Sequence, residues 1–174
     1  TVFHLLRLER ERVTHATLAQ SEFLMTLVDT QLQRHLAALE VLPSSIYFET
    51  LNWREFYWRV QRMLAANPSW ESIMLIDAQR REEIFDLRRP FGARIPVSAM
   101  HERDLRRVVG DGKSLVSGVE SHEHPMVWLY VPVHSHGKVT HVIAVSLRAR
   151  VVQDTLMAYA TPESIGAIVD ADGD

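Results

Sequence analysis

The sequence contains no cysteine. That excludes disulfides, thiolate metal sites and a cysteine nucleophile, and it fits an oxidising compartment, where stray thiols are a liability. Positive charge is not in excess either. Nineteen Lys and Arg stand against 22 Asp and Glu, a net charge of -3. The basic surface that non-specific nucleic-acid binding needs is missing, so no nucleic-acid partner is expected. No apolar run reaches the roughly 18 residues of a membrane span. Glycine and proline are scarce, and neither occurs between residues 3 and 42, a stretch with nothing in it to break a helix. The rest of the composition, 47% hydrophobic and 24% charged over 174 residues, suits one buried core with length left for an extension.

Within the glycine-free stretch, Leu24, Leu27, Val28, Leu32, Leu36 and Leu39 recur at three- and four-residue spacing. They mark one apolar face of a helix. Arg7 to Arg12 is dense in mixed charge, as in a solvated helical segment. A single helix here would extend about 60 Å at ~1.5 Å per residue, longer than the domain it precedes. Two readings fit: two helices with a break, or, the favoured one, a stalk that also pairs with another subunit. Pro43-Ser44-Ser45 ends it. Thr50 or Asn52 then caps a helix from Trp53 to Ala66, closed by Asn67-Pro68. Its Trp53, Phe56, Tyr57, Val60, Met63 and Leu64 form an apolar stripe of core character.

Five strands follow in the pattern: Glu71 to Asp77, Glu83 to Arg88, Ser114 to Val119, Pro125 to His134 and Val139 to Leu147. A loop from Arg89 to Pro96 and a short helix near Glu102 to Val109 separate the second from the third. Ser135-His136-Gly137-Lys138 is a hairpin turn, and a last helix runs from Arg148 to Tyr159. Short turns between consecutive strands predict an α+β fold with an antiparallel sheet. Ile165 to Gly173 then repeats the device of Ile73 to Gln79, an apolar run closed by Asp and a polar turn. The repeat predicts the first strand of another domain, and hence a chain that is part of a larger protein. A leader or membrane anchor ahead of Thr1 is compatible with that reading.

The two faces of the sheet differ. Val127, Leu129 and Val131, level with Ile143, Val145 and Leu147, form an aliphatic face that should pack on the long helix. The opposite face carries Met126, Trp128 and Tyr130, with the small Ala144 and Ser146 beside them. Asp86 and Arg88 share its parity, and the third strand adds Ser117. Broad rings, small neighbours and charge suit a small-molecule cavity. They suit equally a second small core under the Arg89 to Pro96 loop.

Other motifs carry less. His122 and His124, and His134 and His136 with His141 nearby, sit at alternate-residue spacing but flank turns and lack a carboxylate or cysteine partner, so no metal is expected. Histidine titration near neutrality leaves a pH-sensing role open, with no specific support. Asp170 to Asp174 opens like a calcium loop, but its glycine comes too early. Gly110 to Ser114 ends like a phosphate loop yet precedes a strand. No nucleophile–base order or paired-carboxylate setting stands out, so a catalytic role and a cofactor are not expected.

Three stretches together resemble the Cache family, the PAS-like extracytoplasmic sensor domains of bacterial receptors. They are Ala66 to Asp77, Asp86 to Gly92, and Pro125 to Leu147 with its hairpin. The long first helix and the strand at Ile165 resemble the two-lobed, double-Cache arrangement. The resemblance implies a stalk and dimerisation helix over 1–42, a membrane-distal sensor lobe over 43–160 and the start of a membrane-proximal lobe over 161–174. It implies a periplasmic part of an inner-membrane histidine kinase, diguanylate cyclase or chemoreceptor, a homodimer through the helix, and a small organic ligand. Two features depart from the family. The glycine usual after Asp77 is replaced by Gln79-Arg80-Arg81, and the aromatic-and-arginine signature of the amino-acid-binding branch is missing, so an amino-acid ligand is not supported. The expected ligand site comprises Asp86, Arg88, Arg89, Phe91, Ser117, Trp128, Tyr130 and Ser146, with an anionic or polar metabolite against Trp128 and Tyr130, Arg88 or Arg89 as charge partner and Phe91 closing one side. Two other classes stay open: a ligand-free PAS-like dimerisation or interaction module, and a cytosolic PAS-type cofactor domain.

Overall fold

A computed structural model describes residues 2–92, 94–120 and 125–159. The strand-turn repeat at Ile165, the proposed second lobe over 161–174 and the pair His122 and His124 lie outside the described residues.

The first helix, α1 (Val2–Glu40), is unbroken, as the absence of glycine and proline permits. Its apolar stripe serves two neighbours. Leu36 and Leu39 are buried against the sheet with Leu32 beside them. Leu27 instead faces a groove shared with the last helix, α5 (Arg150–Tyr159). Pro43 sits in a single 3-10 turn, Leu42–Ser44, and Leu42 is buried beneath it. A short helix unseen in the sequence pattern follows, α2 (Ile46–Thr50), with the Ser45 hydroxyl accepting from the Tyr47 N–H. Asn52, rather than Thr50, caps α3 (Trp53–Ala66), its side-chain oxygen accepting from the Glu55 N–H at 3.3 Å.

The sheet has six strands where five were expected: β1 (Trp70–Asp77), β2 (Glu82–Asp86), β3 (Ile95–Pro96), β4 (Leu115–Glu120), β5 (Met126–Ser135) and β6 (Lys138–Arg148), in the order β3-β2-β1-β6-β5-β4. All pairs are antiparallel. The extra strand is the end of the predicted loop, which lies along β2 at Glu82 and Glu83. Two residues carry no alternation to read, and Pro96 cannot donate to a ladder, so such a piece fits only at an edge. Between β3 and β4 runs α4 (Ala99–Asp111). It is longer than its pattern suggested, because Gly110 stays helical and Gly112, at φ +63°, makes the left-handed cap.

Two turns explain how the chain reverses. At His136-Gly137 both central residues have positive φ, the geometry that matches strand twist in a two-residue hairpin. After β1, Asp77 accepts from the N–H groups of Gln79 and Arg80 at 3.0 and 2.9 Å. Arg81 takes the left-handed position, at φ +55°. The missing glycine is thus replaced by an arginine whose head group pairs with Glu102 of α4 at 2.6 Å.

The aliphatic face is as expected. Val127, Leu129 and Val131 pair with Leu147, Val145 and Ile143, and Ile73 and Leu75 extend the face onto β1. The end of α1 and the Phe56, Tyr57 and Val60 stripe of α3 cover it together. A hydrogen bond from Trp70 Nε1 to His35 Nδ1, 3.0 Å, ties β1 to α1. The opposite face packs Met74, Ile76, Trp128, Tyr130, Val142 and Ala144 against Leu105 and Val108 of α4.

Leu39 is fully buried where α1 meets the sheet, whereas Met25 is 57% exposed. Leu39→Ala should therefore cost about 2–5 kcal/mol, and Met25→Ala no more than about 0.5 kcal/mol. Urea unfolding of both variants checks this. Equally small losses would mean that α1 is not part of the core.

Candidate functional site

The α4 side of the sheet is apolar at one end and polar at the other. Trp128 on β5 stands level with Ser146 on β6, and Ser146 with Ser72 on β1. The Ser72 hydroxyl donates to Asp86 Oδ1 at 2.7 Å. Asp86 is the last residue of β2, and its carboxylate ends the strand by accepting from the Arg88 N–H at 2.9 Å. Arg88 therefore lies in a turn, not in the strand as predicted. Its side chain folds back to grip the same carboxylate through Nε and Nη2, at 2.9 and 2.7 Å. The guanidinium carbon then lies 5.5 Å from the Trp128 ring centroid, within cation–π range.

Arg89 also donates to Asp86, at 3.1 Å, and pairs with the buried Glu83. Both arginines expected to receive a ligand are thus already held by carboxylates of β2. Burial alone would raise the Asp86 pKa. Hydrogen bonds from the Arg88 side chain and N–H and from Ser72 outweigh it and bring the carboxyl from 3.8 down to about 2. For Glu83 burial wins over Arg89, and its pKa is raised.

The rings are covered by α4 and not by the Arg89 to Pro96 loop. Trp128 and Tyr130 are fully buried. His101, on the first turn of α4, shares a 2.8 Å hydrogen bond between Nδ1 and the Tyr130 hydroxyl, and its ring centre is 4.4 Å from that of Trp128. Burial lowers its pKa, the Arg88 charge lowers it further, and Asp86 and Asp104 oppose. One turn along, Asp104 is also buried, and neither of its oxygens has a hydrogen-bond partner. The Trp128 indole N–H and the Ser146 hydroxyl lack one too. These four atoms are the orphaned buried side-chain polar atoms among the described residues, and all lie on this side of the sheet. Arg88 closes the polar end and also lines an open cleft of about 460 Å³ with Glu71, Met126, Arg148 and Arg150.

Of the eight residues expected at the site, Asp86, Arg88, Arg89, Trp128, Tyr130 and Ser146 come together here. Ser117 adjoins them, but its hydroxyl accepts from the Trp128 backbone N–H at 2.8 Å, filling a gap in the ladder at the β4 bulge. Phe91 does not join them. It lies among Tyr57 and Phe85 on the opposite face, with ring centres 5.3 and 6.5 Å away. The Tyr57 hydroxyl bonds the Arg89 carbonyl and draws the segment toward α3, where a larger apolar cluster receives the ring. Sequence reasoning missed His101, Asp104, Ser72 and Glu83. The signal for the first two was present: His101, Asp104, Leu105 and Val108 follow i, i+3, i+4, i+7 spacing, a buried helix stripe with polar groups at two of four positions.

The histidines near the hairpin do other work. His141 packs beside Phe48 and Trp53, and the His136 ring bonds the Ser135 hydroxyl. No cluster of three or more metal-ligating side chains occurs among the described residues. Nor is any helix there long and apolar enough to cross a membrane.

No protein-family model matches the sequence, and no curated protein matches it. Among solved structures, a sensory box sensor histidine kinase from Vibrio cholerae aligns with 13% identity and a TM-score of 0.35, over 60% of this chain and 98% of that one.

The pKa directions set the acid response. Asp86 titrates lower when folded, so its contribution, about 2 kcal/mol, is present above pH 3.8 and is lost as pH falls toward 2. His35, His101 and His141 are all lowered by burial, so stability starts to fall below pH 6.5; Glu83 works in the opposite direction. Urea midpoints measured against pH should show the lower limb flattened in Asp86→Asn. A limb as steep as the parent's would assign the acid loss to other carboxylates.

Proposed function

We propose that this chain is a small-molecule-sensing domain, PAS-like and of the Cache kind, in the periplasmic part of an inner-membrane signalling receptor. It is not itself catalytic; its parent is a histidine kinase, diguanylate cyclase or chemoreceptor. The observation that carries this reading is the set of four orphaned polar atoms. A buried polar group without a partner costs about 1–3 kcal/mol, and here Asp104, Trp128 and Ser146 bear that cost on one face. A bound polar ligand would supply the missing partners. Arg88, half exposed between these atoms and the open cleft, stands where such a ligand would enter.

Signalling follows from the two faces of one sheet. A ligand on the α4 side would favour one packing of β5 and β6. The other side of those strands rests on Leu36 and Leu39 of α1. The helix would carry the change toward the membrane and, in a homodimer, to its partner helix. Ligand drives such a shift only through different affinity for the two states.

A second reading, a PAS-like dimerisation module without ligand, is favoured by one fact: α4 already covers Trp128 and Tyr130 completely. Thermal unfolding of the purified chain against small organic acids, amines, sugars and metal ions separates the two. A ligand at about 100 times its Kd adds roughly 2.7 kcal/mol, a midpoint shift of several degrees. The sensor reading expects a saturable shift, lost in Trp128→Ala and altered in Arg88→Ala. No shift across the panel favours the dimerisation module, and a shift unchanged in both variants moves the site elsewhere.

A further inference from the structure

Resting on the sensor reading, we infer that the buried face takes a small organic cation, an alkylammonium or a guanidinium, with Asp104 as its counter-ion. The charges on this face are not evenly served. Asp86 has Arg88, Arg89 and Ser72, and Glu83 has Arg89. Asp104, at 1% exposure, accepts no hydrogen bond. Its ion pair is with Arg103 at 3.5 Å, a side chain 60% exposed, which approaches from the solvent side where water screens it. A carboxylate is an acceptor only, so what it lacks is a donor, and a charged donor forms the stronger bond.

The aromatic neighbours suit a cation. His101, Trp128 and Tyr130 meet one another, with the His101 ring tilted 74° to Trp128 and 68° to Tyr130. Aromatic faces attract ammonium and guanidinium groups, most strongly when both are shielded from water. The structure contains an instance: the Arg88 guanidinium already lies over Trp128. The protein's own cation thus occupies one ring face, tethered at the boundary with the cleft. The Ser146 hydroxyl, level with Trp128 and unpartnered, offers an acceptor for a further N–H. An anion would find an unpaired donor on this face, the neutral Trp128 indole N–H, but no free positive charge, because Arg88 and Arg89 are already held by carboxylates.

The test uses the purified chain with methylguanidinium chloride and ethylammonium chloride as probes and sodium propionate as control, at equal ionic strength, read by thermal midpoint and calorimetric titration. The two cations should raise the midpoint saturably. Asp104→Asn keeps the shape and removes a buried charge, so it should fold, and it should weaken cation binding by about tenfold or more. Arg88→Gln removes the competing guanidinium from Trp128 and should tighten cation binding; at an anion site it would weaken binding. Equal cation affinity in parent and Asp104→Asn overturns the inference. A response to propionate alone also overturns it while leaving the sensor reading in place. Silence toward all three probes overturns the inference, and the sensor reading falls only if the wider panel is silent as well.

Discussion

One buried carboxylate organises the polar half of this domain. Asp86 ends β2, turns the chain, and gathers Ser72, Arg88 and Arg89 around two oxygen atoms. Burying an ion is costly unless it is well paired and hydrogen-bonded. Here the number and geometry of its partners outweigh that cost, as the low pKa of its carboxyl records. Everything beside it inherits its position. Arg88 reaches Trp128 because it is anchored at Asp86, and Arg89 reaches Glu83 because the same turn presents it there.

The six-stranded sheet separates two cores of different character. The side covered by α1 and α3 is built from aliphatic and aromatic side chains, each of which contributes about 1.5–3 kcal/mol when fully buried. The α4 side mixes Met74, Ile76 and Leu105 with hydroxyls, an imidazole, an indole and carboxylates. Its polar groups do not all find partners, and an incompletely satisfied interior network is less stable than an apolar one. The first core supplies the stability, and the second forgoes some of it. Such unevenness is expected where a domain has a task besides folding.

Much of this was legible in the residues. The alternation in Val127 to Val133 and Val139 to Leu147 gave faces and register, because a strand's period of two leaves little choice once one side is aliphatic. The His136-Gly137 turn followed from its glycine, and the lack of glycine and proline before Pro43 favoured one unbroken α1 over two helices. The misses share a cause: they depend on tertiary partners. α2 is five residues long, and β3 is two; neither is long enough to show a period. Arg88 and Arg89 read as free cations because sequence spacing does not reveal that carboxylates of β2 already hold them. Phe91 was expected to close one side of the ligand site, whereas the Tyr57 bond to Arg89 draws it to the other side of the sheet, beside Tyr57 and Phe85. Asp104 was hidden in a helix whose pattern looked merely amphipathic.

The position of β6 adds a mechanical consequence. It is flanked by β1 and β5 along its length, and it passes through Ala149 alone into α5, whose Tyr159 touches Phe23 of α1. The Ser146 hydroxyl sits three residues before that junction. A load applied there has almost no slack to absorb it, since neither a loop nor a glycine intervenes. A shift of the sheet at Ser146 would therefore pass directly into α5 and, through the Tyr159–Phe23 contact, to α1.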